Sequence, residues 1–130
     1  MTIFADASAI VAIIAQEEDA FELIDRLAGE EAIWSAMSRW EAISSLCFAR
    51  GRTLIQARDG LLAFGSEFNL RIVPIGSEED RIALDAYERY GKGRHPARLN
   101  MGDCFAYACA KTNQACLLYK GDDFTKTDLA

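Results

Sequence analysis

Acidic residues stand where predicted strands end or predicted helices begin. Asp6 ends the first predicted strand, and the pair Asp122 and Asp123 follows the last one. Glu41 and Asp103 lie in the first turns of two predicted helices. Because ligands of open parallel sheets bind beyond the carboxyl ends of the strands, we expect these carboxylates to meet at one edge of the sheet.

Each of these acids, taken alone, has an ordinary structural interpretation. Asp6 could cap the helix that follows it, and Asp103 could complete a capping box with Asn100. Asp122 or Asp123 could form an Asx-turn after a glycine. Glu41 could be a solvated helix residue. Any one of the acids by itself would therefore be assigned a structural role.

The combination of these acids favours a chemical role. Carboxylates that lie close together repel each other and raise each other's pKa values, a cost that is tolerated mainly where a positive group binds. Oxygen-only ligand sets suit Mg²⁺ or Mn²⁺, hard cations that keep waters which a substrate phosphate can displace. The pattern therefore predicts metal-assisted hydrolysis of a phosphodiester, with one or two ions polarising a water.

Positive charge is concentrated just ahead of Asp103. The net charge of the chain is -6, which argues against non-specific binding to duplex nucleic acid. The stretch from Arg89 to Asn100 contains no acid, so we expect phosphate contacts to be local and to lie there. The candidate contacts are Arg89, Lys92, Arg94, His95 and Arg98. We interpret the single histidine as a solvated or nucleic-acid-contacting residue rather than a metal ligand.

The elements that would position these side chains alternate between strands and helices. Apolar runs predict strands at Thr2–Asp6, Ala32–Ser35, Leu70–Ile75 and Cys116–Tyr119. Spacing and caps predict helices from Ala7, over Asp19–Ala28, from the cap Ser38 to Gly51, over Thr53–Phe64, over Glu78–Tyr90 after the cap Ser77, and over Asn100–Thr112. In the third helix we expect the core-facing residues to be Trp40, Ile43, Leu46 and Cys47. Crossover helices imply a parallel sheet covered on both faces, so the predicted fold class is α/β.

Length and composition limit the architecture. A chain of 130 residues fits one domain over residues 1–130. Hydrophobic residues make up 51% and charged residues 26%, which is typical of a globular protein. The longest apolar run, Ala7–Ala15, is shorter than the ~20 residues that span a bilayer, and no basic segment precedes it, so we expect no membrane association and a cytoplasmic protein. The cysteines lack a C-x-x-C pair, which indicates small buried side chains.

Four segments of the sequence resemble one protein family. They are Ile3-Phe-Ala-Asp6-Ala-Ser8-Ala, Ser38-Arg-Trp-Glu41, Leu99-Asn-Met-Gly-Asp103-Cys-Phe-Ala-Tyr-Ala and Leu118-Tyr-Lys-Gly-Asp-Asp123-Phe-Thr-Lys-Thr-Asp128. Together they span residues 3 to 128 and are similar to the PIN-domain proteins, specifically the VapC-type ribonuclease toxins of type II toxin-antitoxin systems. The last two segments are the most specific.

The resemblance implies a PIN-like α/β/α sandwich around a parallel sheet of about four to five short strands. Because the sequence ends soon after Asp128, we expect any final edge strand to be short or absent. It implies a homodimeric, Mg²⁺- or Mn²⁺-dependent endoribonuclease that cleaves RNA, inhibits translation and growth, and is neutralised by a VapB-type antitoxin. Carried over by motif, the metal-site and catalytic acids are Asp6, Glu41, Asp103 and Asp123. Ser8 matches a small hydroxyl residue often found beside the first acid, and Asp122 is a secondary candidate.

Other functional classes are less consistent with the residues. A receiver domain or a haloacid-dehalogenase-like phosphatase also places acids at strand ends with a lysine nearby, as Lys120 is here. However, Ser8 stands where the phosphatase needs its second aspartate, and no central strand ends in a phosphoacceptor aspartate. A third class is a catalytically silent PIN-like module that only binds RNA or protein. It ranks lower because all four acids are present.

Overall fold

The computed structural model describes residues 1–130, and its centre is a parallel sheet of four strands. The strands are β1 (Thr2–Ala5), β2 (Glu31–Trp34), β3 (Arg71–Ile72) and β4 (Cys116–Leu118), in the order β3-β2-β1-β4. Phe4 pairs with Ile33 on one side and Leu117 on the other, so β1, buried from Ile3 to Ala5, lies in the interior of the sheet. The predicted α/β class and parallel sheet are confirmed, and the chain beyond β4 forms turns with no further strand.

Six helices cover both faces of the sheet. They are α1 (Ala7–Ile14), α2 (Ala20–Leu27), α3 (Ala36–Arg50), α4 (Leu54–Glu67), α5 (Ser77–Tyr90) and α6 (Met101–Thr112). Because side chains alternate along a strand, Ile3 and Ala5 enter the core beneath α1 to α4, whereas Phe4 enters the core beneath α5 and α6. None of the helices is long and apolar enough to cross a membrane.

The third helix differs from its prediction in its start and in its buried face. It begins earlier, because Ser35 and Ser38 form a capping box in which Ser35 Oγ accepts from the Ser38 backbone N–H at 3.1 Å. Its buried residues include Ser38, Ala42 and Leu46. Trp40 lies about 200° around the helix from Ser38 and is 71% exposed, so its predicted core position was wrong.

Three smaller predictions were also corrected. Helix α4 continues through Gly65 to Glu67, so this glycine does not end it. A side chain at position 65 would collide with the Trp34 ring, and glycine lets the helix pack against that ring. Strand β3 is only two residues long, because Pro74 has no N–H to continue the ladder. Helix α5 is capped by Gly76, whose N–H donates to Glu79 Oε1 at 2.7 Å, and not by Ser77.

The cysteines are free, but only two of them are buried. Cys104 and Cys109 belong to α6 and are buried in the core, Cys47 is half-buried, and Cys116 is exposed at the start of β4. The prediction of small buried side chains is therefore correct for the two α6 cysteines and wrong for Cys116.

Candidate active site

The four predicted acids line one cavity. It has a volume of about 480 Å³ and lies beyond the carboxyl ends of β1 and β4. Asp6 follows β1, Glu41 belongs to α3, Asp103 lies in the first turn of α6, and Asp123 lies in the turn after β4. Since β1 and β4 are hydrogen-bonded neighbours, the sheet itself brings the first and last acids together.

Asp6 holds the start of α1 and also lines the cavity. Its Oδ2 accepts hydrogen bonds from the Ser8 backbone N–H at 3.1 Å and from Ser8 Oγ at 2.5 Å. The same Ser8 Oγ accepts the backbone N–H of Lys120 at 2.9 Å. Ser8 therefore joins Asp6 to the turn that carries Asp123.

Asp103 likewise combines a capping role with a place in the cavity. Its backbone N–H donates to Asn100 Oδ1 at 2.9 Å, and its Oδ2 accepts the Asn100 N–H at 3.0 Å. The capping interpretation of Asp103 is thus correct, and it does not exclude a chemical role. The hydrogen bond uses Oδ2, so Oδ1 is left for a ligand in the cavity.

Glu41 reaches the cavity across a glycine. A Cβ built on Gly102 would collide with the Glu41 carboxylate, and its distance to Oε1 would be 2.5 Å. The carboxylate thus occupies the space that a side chain at position 102 would fill. Gly102 is a residue of the site that sequence reasoning missed. The available signal was a glycine directly before the candidate acid Asp103.

The structure separates the two adjacent aspartates. Asp123 lines the acidic cavity, whereas Asp122 lines only a neighbouring cavity of about 380 Å³. The negative charge of Asp123 raises the pKa of both Asp6 and Asp103, although burial is the larger cause in each. These contacts favour Asp123 over Asp122 as the member of the cluster.

Burial and mutual repulsion raise the pKa values of three of the acids. Burial is the main cause at Glu41, and with the charges of Asp6 and Asp103 it raises the pKa of Glu41 to about 7. Burial raises the pKa of Asp103 to about 7 as well, against an opposing backbone hydrogen bond. Burial raises the pKa of Asp6 despite the hydrogen bonds that its carboxylate accepts. The protein therefore maintains a site in which negative charge is costly.

The donor set suits a hard divalent cation. All four side chains offer carboxylate oxygens, and a cation would offset the repulsion that raises their pKa values. As the side chains stand, no three His, Cys, Asp or Glu residues are close enough together to hold one ion. Asp6 and Asp103 are held by their capping hydrogen bonds, Asp123 is exposed, and the Glu41 carboxylate lies against Gly102.

The basic stretch divides between the rim of the site and structural contacts. Lys92 and Arg98 line the neighbouring cavity together with Asp103, Asp122 and Asp123, and with Arg94 and His95 they line a further open cavity. Arg89 is placed elsewhere: its guanidinium lies 4.7 Å from the Tyr90 ring centroid and donates to the Tyr90 hydroxyl at 2.7 Å.

His95 lies outside the acidic cavity. Its Nδ1 accepts the Ala97 backbone N–H at 3.0 Å, and its ring packs edge-on against Tyr90. His95 therefore lies apart from the four acids.

Three charged residues in the cavity wall had no place in the predicted site: Glu17 and Arg50 were missed, and Lys120 was considered only for the phosphotransfer classes. Glu17, Arg50 and Lys120 all line the acidic cavity. Arg50 Nη2 lies 2.8 Å from both carboxylate oxygens of Glu17, and Lys120 Nζ lies 3.2 Å from Glu17 Oε1. These pairs join residues 33 and 103 positions apart, so no local spacing in the sequence could have indicated them.

Comparisons with known proteins identify the family. The family model of the PIN domain matches residues 3–129. A VapC ribonuclease of Rhizobium meliloti is 40% identical over 97% of this chain and 98% of its own length. A ribonuclease VapC of Mycolicibacterium smegmatis is 36% identical over 96% of this chain and 95% of its own length.

Solved structures share the fold. VapBC2 of Rickettsia felis, bound to a DNA fragment from the promoter of its genes, contains a chain that matches with a TM-score of 0.74 and 14% identity, over 99% of this chain and 95% of that chain. VapC20 of Mycobacterium tuberculosis, a toxin that cleaves the sarcin-ricin loop, matches with a TM-score of 0.70 and 17% identity, over 95% and 92%. The sequence resemblance is thereby confirmed: this chain belongs to the PIN-domain family, among the VapC ribonucleases.

Proposed function

We propose that this chain is a VapC-type toxin: a cytoplasmic endoribonuclease that uses Mg²⁺ or Mn²⁺ to cleave RNA, and so inhibits translation and growth. The observation that carries the proposal is the arrival of Asp6, Glu41, Asp103 and Asp123 in one cavity from four separate segments. The ribonuclease names of the full-length relatives support the reaction class. The metal requirement rests on the chemistry of the donor set.

In this proposal the acids have different tasks. A divalent cation bound there would lower the pKa of a water and offset charge on the phosphoryl oxygens. Asp6 and Asp103, fixed by their capping hydrogen bonds, would hold the cation with little loss of side-chain entropy. Glu41 and Asp123 would complete the set of carboxylate ligands around the cation. No histidine is needed as a base.

A VapB-type antitoxin is the proposed inhibitor. The VapBC2 structure of Rickettsia felis, which shares the fold, pairs a toxin with its antitoxin on promoter DNA. In this chain, α2, the end of α3 and α4 carry large exposed apolar side chains, which suit a protein partner. They are Phe21, Phe48, Leu54, Ile55 and Leu62.

A homodimer is proposed from a second apolar surface next to the acids. Trp40 and Met101 are 71% and 67% exposed and line one apolar cavity beside Glu41. Met101 also lines an apolar cavity with Leu84 and Tyr87. A second copy of the same surface, related by a two-fold axis, would bury it. Light scattering should then show a dimer for the wild type and a monomer for Trp40→Glu, and a Trp40→Glu dimer would exclude this surface.

The function is tested by incubating the purified chain with RNA in EDTA, in Mg²⁺ and in Mn²⁺. We expect cleavage only with a divalent cation, and loss of cleavage when the cognate antitoxin is added. Cleavage in EDTA would contradict the metal requirement. RNA binding without cleavage under every condition would instead favour the silent module.

A further inference from the structure

Basic side chains lie on two sides of the acid cluster. Arg50 and Lys120 line the acidic cavity itself. The neighbouring cavity is lined by three basic residues, Lys92, Arg98 and Lys126. Asp103 and Asp123 line both cavities, and so lie between the two basic groups.

Glu17 holds the basic pair in the cavity wall. The Glu17 side chain is 16% exposed, whereas those of Arg50 and Lys120 are each 40% exposed. Both hydrogen bonds from Arg50 to Glu17 run through Nη2, so the Nε and Nη1 hydrogens remain for another acceptor. Lys120 is fixed further, since its Nζ lies 3.4 Å from Asp19 Oδ1 and its backbone N–H donates to Ser8. The two cations are therefore oriented before any ligand arrives.

Stability alone gives little reason for this arrangement. Ion pairs whose cations are partly exposed contribute little to stability, and Arg50 would already be favourable at the C-terminus of α3 without Glu17. A polyanionic substrate, however, must approach four carboxylates that repel it. Cations on both sides of those carboxylates would hold the flanking phosphates and leave one phosphate over the acids.

We propose that Arg50 and Lys120 form a phosphate-binding site for single-stranded RNA, on the far side of the acids from Lys92, Arg98 and Lys126, so that the strand crosses the cluster between them. Glu17 holds the pair when no RNA is bound and competes with phosphate for it, so its net effect is to oppose RNA binding. The proposal rests on the proposed ribonuclease function and adds the path of its substrate.

The direction of the change in RNA affinity for Glu17→Gln distinguishes competition with phosphate from a purely structural role. Glu17→Gln removes the competing carboxylate, so RNA should bind several-fold more tightly and with a steeper salt dependence. Arg50→Gln and Lys120→Gln should each weaken binding, and each should make the slope of log K against log salt shallower by about 0.7. The matched controls are Glu22→Gln and Arg58→Gln, which make the same charge changes at exposed helix positions that form no ion pair.

The measurement is fluorescence anisotropy with a labelled single-stranded RNA of about ten nucleotides, in EDTA at several salt concentrations, with thermal melts of every variant. Opposite shifts for Glu17→Gln and the two cation variants, larger than those of the controls, support the path. If the wild type binds RNA and cleaves it with Mn²⁺ but all three variants match their controls in affinity and slope, the path is wrong and the ribonuclease function stands. If the wild type neither binds nor cleaves RNA, both fail.

Discussion

The carboxylate of Glu41 lies directly over Gly102, in the space where any larger residue would place its Cβ. Gly102→Ala should therefore push the end of the Glu41 side chain out of its position. The clash involves the flexible end of that side chain, so the fold should tolerate it, while RNA cleavage should fall at least about tenfold. A cleavage assay with a thermal melt checks this. Gly60→Ala, another helical glycine, is the control, and unchanged activity of Gly102→Ala would remove Glu41 from the reaction.

The turn after β4 distinguishes Asp123 from Asp122. Asp123→Ala should reduce cleavage by about a hundredfold or more, because it removes a carboxylate from the cluster. Asp122→Ala should have a small effect, since Asp122 lines the neighbouring cavity only. Both residues are exposed, so neither change should unfold the chain. The reverse order of residual activities would show that the wrong aspartate has been assigned to the site.

The raised pKa values of Glu41 and Asp103 make the stability of the metal-free chain depend on pH. Between their ordinary values of 4.5 and 3.8 and the folded value of about 7, the folded state holds more protons than the unfolded state. The free energy of unfolding therefore decreases as pH rises through this interval, and the loss is complete above it. In EDTA, the Tm should be lower at about pH 8 than at about pH 6.

Glu41→Gln is the variant that isolates this effect. It should flatten the pH dependence and raise the Tm at about pH 8 by about 3 °C for each kcal/mol of repulsion removed. Saturating Mn²⁺ should stabilise the wild type by about 2.7 kcal/mol at a hundredfold excess over Kd, and the variant by less. A wild type whose metal-free Tm rises with pH over this interval would contradict the raised pKa values of Glu41 and Asp103.

Asp128 fastens the C-terminal turns to α6. Its Oδ1 accepts from the Tyr107 hydroxyl at 2.7 Å, and its Oδ2 lies 2.6 Å from Lys111 Nζ. Asp128→Asn should lower the free energy of unfolding by about 1 kcal/mol, discounted for the partial exposure of the group. Chemical denaturation measures it, with Asp85→Asn as the control, because Asp85 makes only an exposed pair with Arg89. An equal change in both variants would show that Asp128 does not fasten this segment.

The places of Asp6, Asp103 and Asp123 could be predicted from the sequence because each one follows a strand or opens a helix, where local patterns are strong. Glu41 lies in the second turn of α3, because that helix begins earlier than predicted. Parallel neighbours then meet by topology, as Asp6 and Asp123 do. The same reasoning failed where packing between distant segments decides the outcome. Trp40 has the residue type of a core position but lies on the outer face of α3. Glu17 contacts Lys120 only in the folded chain. Position 102 requires a glycine because the Glu41 carboxylate approaches it from another helix.

RNA cleavage by Asp103→Asn in Mn²⁺ tests the central claim most directly. Asparagine keeps an oxygen that can accept the Asn100 N–H, so the capping box and the fold should survive, as circular dichroism would show. The metal-free Tm should not fall, because the change removes a charge from a repelling cluster. We predict loss of cleavage with folding intact, since an essential metal ligand contributes several kcal/mol to the transition state. A folded variant that retains more than about a tenth of the wild-type activity would contradict the assignment of these acids as the catalytic centre.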